Sequence, residues 1–316
     1  MKNNFLQLRN ISRKFRASLS IFFNENEKKY TTNDLKIINK LNNEIKKIKL
    51  SEKNKLDTHQ IFSNKILNII QNKNLLNFLQ KGYIQQMFFI HNRLFILFEL
   101  IELKFHKKWS YWKNLIEENN IGNPVRYFLY SKSSGNKIHQ VYHLKKYYDY
   151  TNIDYQKFKN IIEFGGGYGN MATIFKKINK SSNYIIFDTK EVTLLQYYYL
   201  KKSGLDVSLN RDNKSRIKLI SNISILKQIV SKTPRKEKNL FIANWSFSEI
   251  PLHFRKKLFF IFKKYRYHLV SFQHYFEKID NLKYFSNLKN RNLKKNNSAK
   301  IIKLNSKKNN YYMFTY

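Results

Sequence analysis

Short blocks of apolar residues, each closed by a polar residue or a glycine, recur through the C-terminal half of the chain. Ile161-Ile162, Tyr184-Ile185-Ile186-Phe187, Leu205–Leu209, Asn239–Asn244 and His268–Phe272 have the length and β-branched or aromatic content of buried strands. Between them, Met171–Ile178, Val192–Lys202 and Leu252–Lys264 space their apolar residues as helices do. Strand and helix in alternation predict parallel βα units around an open sheet. Near the end, Lys300–Leu304 and Tyr311–Tyr316 flank a polar turn, as in a hairpin. The expected class is α/β, a doubly wound Rossmann-like sheet with a C-terminal antiparallel hairpin.

The first 135 residues carry a different pattern. Asn33–Leu41 opens a Lys-, Asn- and Ile-rich stretch of helical period, and Asn64–Ile70 and Leu94–Leu103 repeat the helical theme, with no alternation of strand type. Ile121-Gly122-Asn123-Pro124 predicts a turn, and Ser131–Asn136 a polar loop. The latter divides the chain into a helical region, 1–135, and a second domain, 136–316. Ile138–Tyr148 reads as the helix leading into that domain. The longest apolar stretch, Met87–Phe105, is interrupted by His91, Asn92, Arg93, Glu99 and Glu102. It is too polar for a membrane span and reads as a packed helix. Met1–Phe5 has no apolar core of a secretory signal.

Of the 8 glycines, four fall in Gly165-Gly166-Gly167-Tyr168-Gly169. Without Cβ atoms, such a turn lets a ligand approach the backbone. Strand, glycine turn and helix open a doubly wound nucleotide-binding unit. A dinucleotide fingerprint needs a third glycine where this chain has Asn170. The pattern present is acidic-x-G-x-G-x-G, from Glu163 through Gly165 and Gly167 to Gly169. A carboxylate beside the turn suits a cationic sulfonium cofactor better than a pyrophosphate. Asp188 ends the next strand about 20 positions beyond Gly167, where a carboxylate can accept from both ribose hydroxyls. The bland alternatives are a ligand-free turn and an Asp that caps a helix.

Composition narrows the chemistry. Cys is 0, which excludes disulfides, cysteine nucleophiles and thiolate metal sites, and fits a cytoplasmic protein. A net charge of +39 suggests a polyanion or an anionic surface. Yet Lys, Asn, Ile, Tyr and Phe are abundant together and Lys is scattered, as compositional drift in an AT-rich genome would produce. Both readings stand at this point. Lys289–Asn297 reads as a basic solvated loop.

Three blocks together resemble one family. They are Glu163–Ala172 with its GGGYG turn, Asp188 with Leu194-Leu195-Gln196-Tyr197-Tyr198-Tyr199-Leu200, and Asn244-Trp245-Ser246-Phe247-Ser248-Glu249-Ile250-Pro251. The chain from about Gly122 to Tyr316 is similar to the sugar O-methyltransferases of the class I S-adenosylmethionine-dependent group. Thr189-Lys190 stands where that family leads one to expect Leu-Pro. The resemblance implies S-adenosyl-L-methionine as cofactor, with Glu163, Gly165, Gly166, Gly167, Tyr168, Gly169, Asp188 and Asn244 around it. It implies methyl transfer to a hydroxyl of a sugar, nucleotide sugar or glycan.

An alcohol needs a general base or a metal to activate it. Glu249, after the fourth strand, is the first candidate base, with His253 and His274 as further ones and His139 and His143 behind them. No carboxylate-rich metal motif accompanies the two histidines, so no metal is expected. Trp245 is either core or a stacking platform. Two other readings remain open. A nucleic-acid methyltransferase is allowed by the charge, but Asn244-Trp245-Ser246-Phe247 lacks the Pro-Pro of amino-methylating enzymes. A non-catalytic binding protein on the same fold is the other.

Overall fold

The computed structural model describes residues 29–48, 58–88, 93–209, 215–235, 238–290, 298–304 and 309–316. The chain start at Met1–Phe5, part of Met87–Phe105 and most of Lys289–Asn297 lie outside them. Two compact units are present, residues 1–145 with 201–204, and residues 146–200 with 205–316.

The first unit holds helices α1 (Thr32–Lys46), α2 (Thr58–Gln71), α3 (Gly82–Met87), α4 (Phe95–Lys104) and α5 (Trp109–Ile116). Thr31 caps α1: its side chain accepts from the Asp34 N–H, and Asp34 answers at the Thr31 N–H. Ile38, Leu41, Ile66, Ile70, Phe78, Leu100 and Trp112 form its buried apolar side. The region is not all helical. β1 (Arg126–Tyr127) and β2 (Tyr130–Ser134) pair antiparallel, and α6 runs from Gly135 to Thr151. The polar run expected to be a loop is therefore strand and helix start. Ser133 and Ser134 are buried, and Ser134 Oγ donates to Glu118 Oε2 at 2.6 Å, a long-range partner that local polarity does not reveal.

The second unit is built on an eight-stranded sheet in the order β11-β12-β8-β7-β3-β4-β6-β5. Its strands are β3 (Asn160–Phe164), β4 (Asn183–Phe187), β5 (Val207–Leu209), β6 (Ile217–Ile220), β7 (Asn239–Asn244), β8 (Tyr267–Gln273), β11 (Ala299–Lys303) and β12 (Asn310–Thr315), while β9 (Tyr275–Phe276) and β10 (Ile279–Asp280) form a separate antiparallel pair. Strands β3 to β8 run parallel, while β12 lies antiparallel between β8 and β11. This is the doubly wound, Rossmann-like layout with a closing antiparallel hairpin. Leu205–Leu209 was expected to be a third strand, and Val207–Leu209 is one, at the sheet edge; Ile217–Ile220, which was not expected, lies between it and β4. Lys218 interrupts that short apolar run and hides it from a pattern reading.

Register is pinned by a ladder at the strand starts. Asn160 Nδ2 donates to Asn239 Oδ1 at 2.9 Å, and Asn183 Nδ2 donates to Asn160 Oδ1 at 3.1 Å. One sheet face carries Ile162, Phe164, Ile185, Phe187, Phe241, Val270 and Phe272, packed on Leu226 and Val230 of α9 (Ile223–Lys232) and on Phe247, Ile261, Phe262 and Phe285. Burying each such side chain contributes about 1.5–3 kcal/mol. On the other face Tyr184 meets Phe175 of α7 (Asn170–Ile178). The helix expected over Leu252–Lys264 is two, α10 (Leu252–Lys257) and α11 (Phe259–Lys264), broken at Leu258. Leu258, at the break, is fully buried in the core.

Candidate active site

The chain winds from β3 through β4 to the β6 side, then returns to β7 on the other side of β3. Ligands of open α/β sheets bind at such a reversal, outside the carboxyl ends of the strands. Two loops meet there, the glycine turn after β3 and the Trp245–Pro251 turn after β7.

Gly165, Gly167 and Gly169 all have positive φ, at 67°, 57° and 99°. A Cβ on Gly165 would stand 2.3 Å from Ser246 Cβ. Ser246 Oγ in turn donates to the Phe164 carbonyl oxygen, so the two loops are tied together. Gly166 has no left-handed backbone, but a Cβ there would lie 2.7 Å from Ile186 Cγ2 and 3.0 Å from Glu163 Oε2. Gly169 caps α7 with its N-terminus toward the turn. Tyr168 is buried edge-on to Tyr199, with ring centroids 4.8 Å apart.

Asp188 ends β4 as expected. Its Oδ1 accepts from the Thr189 N–H and its Oδ2 from Gln196 Nε2, both at 2.9 Å. Gln196 Nε2 also lies 2.9 Å from the Gly167 carbonyl oxygen, so one amide links strand end and glycine turn. The residue keeps some exposure, but its carboxyl is enclosed. Burial pushes it up to about 7, against hydrogen bonds from Thr189, Gln196 and the Gly166 N–H. Glu163 lies under the turn rather than on it, 5% exposed, with the Tyr184 hydroxyl donating to Oε2 at 2.9 Å. Burial pushes its carboxyl up to about 8 despite that bond, with Asp188 adding to the rise. At neutral pH Glu163 is mostly the neutral acid.

The β7 loop is strained. Trp245 has φ 70° and ψ −46°, the γ-turn region that bulky residues seldom occupy. Its N–H donates to the Ser271 carbonyl, and its own carbonyl accepts from the Ser248 N–H, each at 2.9 Å. Asn244 Oδ1 accepts from Ser271 Oγ at 3.1 Å. Arg255, missed in the sequence, braces the same loop from inside. It is fully buried; Nε donates to the Ile250 carbonyl at 2.9 Å and Nη2 to the Ser248 carbonyl at 2.7 Å. Its guanidinium lies 4.7 Å from the Tyr284 ring centroid. Burial lowers its pKa from the ordinary arginine value.

Glu249, between Ser248 and Ile250 in sequence, is partly exposed and accepts from Gln273 Nε2 at 3.4 Å. Gln273 ends β8, and His274 follows it. His274 lies 3.7 Å from Asp280 and stacks on Tyr275 at 4.2 Å. Glu249, Gln273 and His274 therefore share one sheet edge. His253 does not share this contact set; it is exposed on α10. His139 belongs to the first unit, where Nδ1 lies 2.8 Å from Glu99 Oε2 and the ring 4.2 Å from that of His143. His268 points into the core on Thr315, and burial holds it near 3, so it stays neutral. Among the described residues no group of three or more His, Cys, Asp or Glu could hold a metal ion.

No protein-family model matches the chain, and no curated protein does. Among solved structures it is similar to the pyocyanin biosynthetic protein PhzM, at 9% identity over 56% of each chain with a TM-score of 0.34. It is similar to precorrin-6y C5,15-methyltransferase from Geobacter metallireducens, at 10% identity over 54% of this chain and 84% of that one, TM-score 0.36. A SAM dependent methyltransferase from Aquifex aeolicus matches at 12% identity over 54% and 86%, TM-score 0.36. The match spans little more than half the length of the first of these. The fold assignment rests on the strand order itself.

Proposed function

We propose that this chain binds S-adenosyl-L-methionine at the β3 turn and methylates a hydroxyl of a sugar, nucleotide sugar or glycan. The observation that carries the reading is the pairing of a Cβ-free turn with a carboxylate. Gly165 to Gly169 bend at the sheet reversal, and Gln196 ties that turn to Asp188. The residues fit the cofactor. A carboxylate has about four acceptor positions. Thr189, Gln196 and the Gly166 N–H take three of those on Asp188, and a ribose hydroxyl can use the fourth. Gly165 and Gly166 have no room for side chains, so backbone lines the approach.

The cofactor supplies an electrophilic methyl group on a sulfonium. The protein must hold the acceptor hydroxyl in line with it and remove a proton. Glu249 is the candidate base, steadied by Gln273, with His274 beside it and His253 as the remaining reserve. Strain at Trp245 supports a functional role for this loop, since such conformations persist where the surroundings over-determine them.

Two measurements test the reading. Calorimetric titration should give binding of S-adenosyl-L-methionine and none of NAD; the reverse result would overturn the cofactor. Single-turnover methyl transfer to a panel of nucleotide sugars, glycans and RNA then tests the acceptor. Methylated saccharide supports the proposal, and methylated RNA without saccharide overturns its substrate half. Glu249→Gln should slow transfer about 10²–10⁴-fold while leaving cofactor binding nearly intact.

A further inference from the structure

Helix α4 is apolar on both sides, but only one side is packed. Ile96, Leu100 and Leu103 are buried. Leu94, Phe98, Ile101 and Phe105 follow one another at intervals of four, three and four along the other face. They are 56%, 60%, 39% and 88% exposed. The acids of this helix are turned to α6. Glu99 meets His139, and Glu102 accepts from the Tyr142 hydroxyl at 2.8 Å and lies 3.4 Å from Lys145. The cations are turned out: Lys104, Lys107, Lys108 and Lys113 are exposed.

We propose that this face of α4 docks on an anionic lipid surface, with the four apolar side chains entering the headgroup boundary and the lysines meeting lipid phosphates. Charge selects the occupant. A second copy would set the same lysines against each other on a chain of net charge +39. Residues 1–28 carry Lys2, Arg9, Arg13, Lys14, Arg16 and Lys28 against Glu25 and Glu27, so they too are basic. A lipid interface accepts exposed Phe and Leu without a shaped pocket, and long lysine stems reach its phosphates. No helix of the described residues is long and apolar enough to cross a membrane, so the contact is one of lying on the surface.

The test is flotation of the full chain with vesicles of phosphatidylcholine alone and of phosphatidylcholine with phosphatidylglycerol. Binding is expected only with the second. Phe98→Glu with Phe105→Glu should lower partitioning about tenfold or more, and Lys107→Glu with Lys108→Glu by a comparable factor. All four positions are exposed, so the thermal melt should not move. Because Cys is 0, Ile101→Cys takes a single environment-sensitive fluorophore, with Lys232→Cys as the control. Its emission should shift blue on anionic vesicles at position 101 alone. Three results would each overturn the proposal. They are wild-type binding by the double Phe variant, an unshifted probe at 101, and a chain that ignores vesicles but forms a dimer split by Phe98→Glu.

Discussion

Gln196 reaches from α8 (Lys190–Lys202) to Asp188, its Nε2 lying 2.9 Å from Asp188 Oδ2 and 2.9 Å from the Gly167 carbonyl oxygen. If Asp188 holds the ribose, Asp188→Ala should cost on the order of 2–4 kcal/mol of cofactor affinity. Gln196→Ala should cost less, on the order of 1–2 kcal/mol, because the carboxylate remains but loses its aim. Titration calorimetry on the folded variants decides. Equal dissociation constants for wild type and Asp188→Ala would remove Asp188 from the site.

Glu163 gives stability a slope with pH. Its folded pKa of about 8 stands above the ordinary carboxylate value of 4.5. The folded state therefore holds a proton that the unfolded chain gives up. The contribution is complete below about pH 4.5 and is lost progressively up to about pH 8. Glu163→Gln should keep the Tyr184 contact and flatten the fall between those limits. Urea denaturation at a series of pH values measures it, and an unchanged slope would contradict the assignment.

Gly165 and Gly166 should respond differently to alanine. Gly165→Ala meets both a φ of 67° and Ser246 Cβ at 2.3 Å, whose hydroxyl is committed to Phe164. A loss of about 2 kcal/mol or more is expected, together with cofactor binding. Gly166→Ala also meets buried atoms, Ile186 Cγ2 at 2.7 Å and Glu163 Oε2 at 3.0 Å, but adds no left-handed backbone strain, so its melting temperature should fall less. The reverse ranking in thermal melts would mean that the turn is not held as described.

Arg255 should be costly to remove. Arg255→Met fills the space of the stem but leaves the Ser248 and Ile250 carbonyls without their donors, an expected loss of about 2–4 kcal/mol. Arg255→Lys should not restore it, since an ammonium lacks the planar fork that serves both carbonyls. Chemical denaturation reads the first effect, and full recovery with lysine would refute the second.

Much of the sheet was legible because its strands are buried on both faces and so read as unbroken apolar runs. The glycine turn and Asp188 were legible because few residue types satisfy those backbone and hydrogen-bond demands. Ile217–Ile220 was not, being short and split by Lys218, and neither was β2, whose polar Ser133 and Ser134 are both buried, Ser134 against the sequence-distant Glu118. Arg255 looked like one more surface cation among many in a basic stretch. The γ conformation of Trp245 leaves no trace in composition, since it is imposed by Ser271 and Ser248 after folding.

The insertion of β12 between β8 and β11 also orders events during synthesis. When β8 has left the ribosome, one of its flanks faces outward with unanswered amides and carbonyls. Its mate begins only at Asn310, well beyond Gln273. Until then the nascent sheet displays an open, apolar border that includes Leu269, Val270 and Phe272, the kind of border on which stray strands pair. Slow translation between these two strands would prolong that exposure.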